Sequence, residues 1–231
     1  MISYSQENAS PELQSGPSID IVYYTDPLCC WSWALESQLT RMEKEWPGTI
    51  NWRYCMGGLL PGWDHYVDHQ NSIQRPAQMG PLWMHASEVM DVPIAHRIWV
   101  EDPPASSYPA CIAVKCAALQ SAETGRLYLY HVRKAVMFHG LNIARQEVLL
   151  QVARCIAVTN KQFSLAQFEE DMKNDRGLEA FREDLKEVKY RGISRFPTLL
   201  IKQAAASRGL LVTGFRSADD LLHIINEANG K

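Results

Sequence analysis

The chain has 231 residues, 46% hydrophobic and 21% charged, which supplies apolar material for a packed core and excludes a disordered chain. A formal net charge of −3 and a pI near 6.2 argue against nucleic acid as a partner, since its binders carry basic patches. No apolar run reaches the roughly 18 residues of a membrane helix, and no basic residue precedes Arg41, so the chain reads as cytoplasmic with no membrane partner.

Residues 1–18 are polar, contain Pro11, Gly16 and Pro17, and read as a loose tail. Ile19–Tyr24 is β-branched and aromatic and predicts a strand ended by Thr25-Asp26-Pro27. A helix is expected from Cys29 or Cys30 to about Trp46, with Leu35, Leu39 and Met42 on its inner face and Pro47-Gly48 as its stop. Thr49–Cys55 alternates as a second strand, so the first three elements form a right-handed parallel βαβ unit. From Gly57 to Pro109 no periodicity is sustained. Ser107, with Pro109 in the first turn, then caps a helix reaching Gln120. Leu127–Phe138 and Gln146–Val158 continue in helical register, Ser164-Leu-Ala-Gln167 is a capping-box pattern, and a charged, solvated helix covers Leu178–Tyr190. Thr198–Lys202 and Leu210–Thr213 suit an antiparallel hairpin, and Ser217-Ala-Asp-Asp220 opens a last amphipathic helix. The order βαβ, helices, ββα predicts an α/β thioredoxin-like fold split by an all-helical insertion. On this reading residues 19–60 and 186–231 form the thioredoxin-like domain and 61–185 the insertion subdomain.

The chemistry concentrates in two short segments. Cys29 lies at a strand-to-helix junction, where unpaired N–H groups and the helix dipole favour thiolate and predict a pKa lowered into the range of about 3.5–7.5. Phe196-Pro197 stands directly before a strand, where proline marks a first strand residue or a cis turn. Together they resemble the DsbA-like thiol–disulfide oxidoreductases, particularly the largely cytoplasmic branch related to FrnE. That family's motif reads Asp-Pro-Leu-Cys-x-Trp-Cys-Trp; here it is Asp26-Pro27-Leu28-Cys29-Cys30-Trp31-Ser32-Trp33. Met56-Gly57-Gly58-Leu59 and Ser106-Ser107-Tyr108-Pro109-Ala110 add to the resemblance, which covers most of residues 19–228. It implies Cys29 as the nucleophile and Pro197 as the cis-proline that shapes the substrate groove, with Cys30, Trp31, Trp33 and Phe196 beside it.

Ser32 stands where the family carries its resolving cysteine. The expected chemistry is therefore that of a monothiol, with Ser32 as a hydrogen-bond donor to the Cys29 thiolate and mixed disulfides formed with a protein thiol or with glutathione as co-substrate. No bound cofactor is expected. Two alternatives stay open: a glutathione-dependent transferase or isomerase of the kappa-class type, which would use Ser32, and an inactive adaptor that keeps the fold alone. Of the other cysteines, Cys30 reads as a filler, Cys55 as a core thiol or a resolving partner, and Cys111, Cys116 and Cys155 as core. Six cysteines are too sparse for a disulfide scaffold and include no Cys-x-x-Cys pair. His65 and His69 have a metal-compatible spacing beside Asp64 and Asp68 but lack a third ligand, so no metal is expected. Cys29, expected to be exposed, should be the most reactive thiol.

Overall fold

A computed structural model of the chain describes residues 17–68, 71–204, 206 and 208–228. Residues 1–16 of the expected tail, and His69 of the histidine pair, lie outside the described residues.

Strand β1 (Ser18–Thr25) is the spine of the sheet. It runs parallel to β2 (Thr49–Met56), with Ile21 opposite Trp52, and antiparallel to β3 (Thr198–Gln203), with Ile21 opposite Ile201. β4 (Leu210–Thr213) pairs antiparallel with β3, giving the order β2-β1-β3-β4. Helix α1 (Cys30–Glu45) supplies the crossover from β1 to β2 and ends at Trp46, as Pro47-Gly48 requires. Alternation along β1 divides the sheet. Ile19, Ile21 and Tyr23 pack on Leu35, Leu39 and Met42 of α1, together with Leu221 and Ile225 of the C-terminal helix. Val22 and Tyr24 face the other way, toward Val188, Ile193 and Phe196. A strand sandwiched on both faces must be apolar nearly throughout.

Between β2 and β3 the chain forms α2 (Met79–Met90), α3 (Ile98–Glu101), α4 (Tyr108–Ala118), α5 (Ala122–Met137), α6 (Gln146–Thr159), α7 (Leu165–Lys173) and α8 (Arg176–Tyr190), and α9 (Ala218–Ala228) closes the fold. Helices α2 to α8 share a core around Trp83, Trp99, Tyr128, Phe168 and Phe181, which Leu28, Cys30 and Met56 join from the sheet side. The split α/β thioredoxin-like architecture predicted from element order is the one observed. The expected division at residues 185 and 186 falls inside the continuous helix α8.

Three local expectations are corrected. α2 arises in the stretch without sustained periodicity; Pro81 falls in its first turn, where no backbone donor is required of it. Ser107 occupies the N-cap position of α4 but does not cap it, because its hydroxyl is bonded to Asp26 instead. At α7, Ser164 Oγ accepts from Gln167 N as a capping box demands, while the Ser164 N–H donates to Gln120 Oε1 at 2.8 Å, so a distant residue completes the cap.

Helices α4 and α5 approach closely at Gly125. A Cβ there would lie 2.6 Å from Ala118 Cβ and 2.9 Å from Ala118 Cα, atoms that cannot swing aside. Alanine improves helix propensity by about 1 kcal/mol over glycine, whereas overpacking costs about 1–3 kcal/mol. Gly125→Ala is therefore expected to be net destabilising by up to about 2 kcal/mol, read as a lower midpoint in urea denaturation.

Candidate functional site

The end of β1 delivers Asp26 into the interior. Its carboxylate accepts from Leu28 N at 2.8 Å, Leu59 N at 2.7 Å and Ser107 Oγ at 2.8 Å, with the Cys111 thiol at 3.4 Å. These bonds bring together the turn before α1, the turn after β2 and the start of α4. Asp26 is fully enclosed, and burial raises its pKa although the four donors pull the other way.

Cys29 follows as the N-cap of α1, in extended conformation, its N–H donating to Asp26 O and its carbonyl accepting from Trp33 N, both at 3.1 Å. The Sγ hydrogen points to Phe196 O, 3.3 Å away. The Phe196–Pro197 peptide is cis. Gly57 makes this approach feasible: a Cβ there would sit 2.1 Å from Phe196 Cζ, so only a glycine lets the ring cover the end of β2. The sulfur thus opens on a groove of about 770 Å³ whose walls include Trp31, Tyr66, Phe196 and Phe215.

The site departs from expectation in three ways. Cys29 is only 5% exposed, and burial pushes its thiol up rather than down; Ser32 and the Arg133 charge favour the thiolate, Asp26 opposes it, and desolvation outweighs them all. The Ser32 hydroxyl is buried and has no hydrogen-bond partner, so the expected bond to the sulfur is not formed at rest. Trp33 is not in the groove. About 200° of helical rotation separates it from Trp31, and it lines a second cavity, of about 700 Å³, beside Tyr130 at a ring separation of 6.0 Å.

Cys30 borders the groove but is 2% exposed and packs into the helical core, which raises its thiol pKa well above the ordinary value. Cys55 is enclosed, with its thiol against Asp184 O at 3.6 Å and its pKa raised by burial. Cys111 and Cys116 are buried as expected, whereas Cys155 is exposed, since it lies off the Leu149, Val152, Ala153 and Ile156 face that α6 buries. The six cysteines are free thiols among the described residues.

Sequence reasoning passed over Asp26, Ser107 and Arg133 as site residues. Arg133 is fully buried and donates to Thr25 Oγ1 and Glu36 behind the Cys29 turn. One signal was present: Arg133 falls in register with Leu129 and Val136, a charge inside an apolar helical stripe. No comparable pattern flags Asp26, whose partners lie up to 85 residues away.

Two measurements follow from this geometry. Under limiting alkylation with peptide mass mapping, Cys155 should label first and Cys29 more slowly, because access and thiolate fraction both restrain Cys29. Asp26 carries a native pKa above its unfolded one, so its stabilising contribution is complete below about pH 4 and lost as pH rises through the higher native value. The stability difference between the wild type and Asp26→Asn should accordingly shift against the wild type as pH is raised from 4, measured by urea denaturation across the pH range.

A family model described as thioredoxin matches residues 23–222. Among curated proteins, the ClpXP adapter protein SpxH of Halalkalibacterium halodurans is 25% identical over 197 residues, covering 85% of this chain and 63% of that protein. The Bacillus subtilis SpxH is 25% identical over 215 residues, covering 92% and 68%. The chain thus spans less than two thirds of the first of these relatives. Among solved structures, the cytosolic disulfide reductase DsbM of Pseudomonas aeruginosa superposes with a TM-score of 0.62 at 18% identity, covering 91% of this chain and 95% of that one, and it has also been solved with GSH. The oxidoreductase NmDsbA1 of Neisseria meningitidis superposes with a TM-score of 0.54 at 10% identity, covering 94% and 85%. At such identities the likeness concerns the fold, and it is the fold that the Asp26–Trp33 and Phe196-Pro197 segments implied. With residues 23–222 matched and its elements in that arrangement, the chain belongs to the thioredoxin family.

Proposed function

We propose that the protein carries out thiol–disulfide exchange as a monothiol at Cys29. The observation that carries this reading is the placement of Cys29 Sγ at the N-cap of α1, opening on a groove and 3.3 Å from the carbonyl of Phe196. The Cys29 thiolate attacks one sulfur of a disulfide R–S–S–R, forming Cys29–S–S–R and releasing RS⁻. A second thiolate from solution then attacks the R sulfur and restores Cys29. Ser32, lacking sulfur, takes no part in electron transfer; its hydroxyl and N–H lower the energy of the Cys29 thiolate that attacks in the first step and leaves in the second. The partner is a protein thiol or glutathione, and the solved DsbM with GSH supports the latter as co-substrate. A cytoplasmic setting fits such a cycle, and DsbM is itself described as cytosolic.

A second reading is an adapter that binds a protein partner through the same groove without turnover. It is favoured by the similarity to the SpxH adapter proteins. The kappa-type transferase reading finds less support, because Ser32 is fully enclosed and does not reach the groove.

Intact mass after incubation with oxidised glutathione decides between exchange and adapter. In a Cys155→Ser background the protein should gain one glutathionyl group, lose it to added thiol, and fail to gain it once Cys29→Ser is introduced. Because burial raises the Cys29 pKa, the rate of adduct formation should still climb with pH beyond the ordinary thiol value of about 8.5. Absence of a Cys29 adduct across that range overturns exchange and leaves the adapter.

A further inference from the structure

Arg133 belongs to α5, in the helical insertion, yet its guanidinium ends behind the first turns of α1. It donates to Thr25 Oγ1 at the end of β1 and to Glu36 on α1. Its Cζ stands 5.6 Å from the ring centroid of Tyr23, whose hydroxyl donates to Ser32 O at 3.2 Å. Its Nε has no partner although the side chain is fully buried. A link between α5 and α1 alone would not call for a dehydrated cation, since apolar side chains of similar volume commonly replace buried ion pairs at no loss of stability. The ion pair is also asymmetric: the Glu36 side chain is 19% exposed and Arg133 0%. Burial raises the Glu36 carboxyl pKa as well, but what solvent contact the pair keeps is on the carboxylate, and the guanidinium has none.

We propose that Arg133 is a positioning residue of the site, a cation carried in from the insertion that braces the first turns of α1 against β1 and stabilises negative charge on the Cys29 sulfur. The inference rests on the reading of Cys29 as the nucleophile. Of the charges that act on the sulfur, Arg133 favours the thiolate and Asp26 of the turn before α1 opposes it, while a charge on the sulfur acts in turn on Cys30 of α1 and Tyr66 of the insertion. Around Arg133 stand Tyr23 on β1, Glu36 on α1 and Tyr54 on β2. Arg133 and Cys29 attract one another, whereas Asp26 repels the thiolate. The insertion would then be part of the electrostatics of the thiol as well as a wall of the groove.

The test is the rate of Cys29 alkylation by iodoacetamide against pH, read by peptide mass mapping in the Cys155→Ser background. Arg133→Met should slow the reaction at neutral pH by roughly three- to tenfold and move the midpoint of the profile upward. Arg133→Lys should stay near the parent. Glu36→Gln keeps an acceptor for Arg133 but removes the opposing charge, so it should move the midpoint downward and speed the reaction. Opposite signs for the two members of one ion pair are not what a bracing role alone produces. Should Arg133→Met fail to fold, Arg133→Lys and Glu36→Gln carry the test. A Glu36→Gln midpoint that is unmoved or raised overturns the proposal, as does Arg133→Lys behaving like Arg133→Met. Alkylation requires no disulfide exchange: an Arg133-dependent profile without a glutathione adduct sinks only the exchange reading, and an adduct with a charge-independent profile sinks only this one.

Discussion

The enclosed carboxylate of Asp26 gathers donors from three parts of the chain, Leu28 on its own turn, Leu59 after β2, and Ser107 with Cys111 on α4. An unpaired charge at that depth would be prohibitive, so these partners must be present together for the fold to close. Their convergence sets where α1 begins, and therefore where the sulfur of Cys29 stands relative to the Phe196 carbonyl. The same bonds hold the entrance of the helical insertion against the sheet: Leu60 N donates to Ser107 Oγ at 3.1 Å and Ser107 N to Leu60 O at 2.8 Å. One buried group thus couples the placement of the insertion to the geometry of the thiol.

The insertion contributes in turn to the environment of that thiol. It supplies Trp83 and Tyr66 to the groove, and Arg133 to the rear of the helix start. The opposite side of the groove comes from the sheet and its connections, through Phe196 and Phe215. Desolvation raises the thiol, and the cation together with Ser32 offsets part of that rise. The pull of the helix N-terminus toward thiolate is outweighed here, because the apolar walls that shape the groove also withhold water from the sulfur.

Further from the groove, polar clusters brace the outer face of the sheet. Glu187 on α8 accepts from Tyr24, Arg53 and Arg191, which holds its carboxyl at about 2. Asp184, one turn earlier, accepts from Met56 N and pairs with Lys115 of α4. α8 is therefore shared between sheet and insertion rather than a border between them. Its alternating charges read as a solvated face in sequence, and part of that face is committed to β2.

What the sequence determined by itself were elements governed by neighbours within a few residues. Hydrophobic alternation specified β1 and β2, the period of Leu35, Leu39 and Met42 specified α1, and Pro47-Gly48 specified its end. Cys29 at a helix start and Phe196-Pro197 before a strand were recognisable for the same reason, since each depends on local backbone geometry. Tertiary structure alone decided how deeply Cys29 is buried, that Trp33 faces away from Trp31's groove, and that the Ser107 hydroxyl serves Asp26 rather than its own helix. It also decided that Arg133 enters the core and Cys155 does not. Solvation and pairing depend on groups brought together from distant positions, Asp26 with Cys111 and Thr25 with Arg133. A linear pattern records the period of a helix but not what packs against each of its faces.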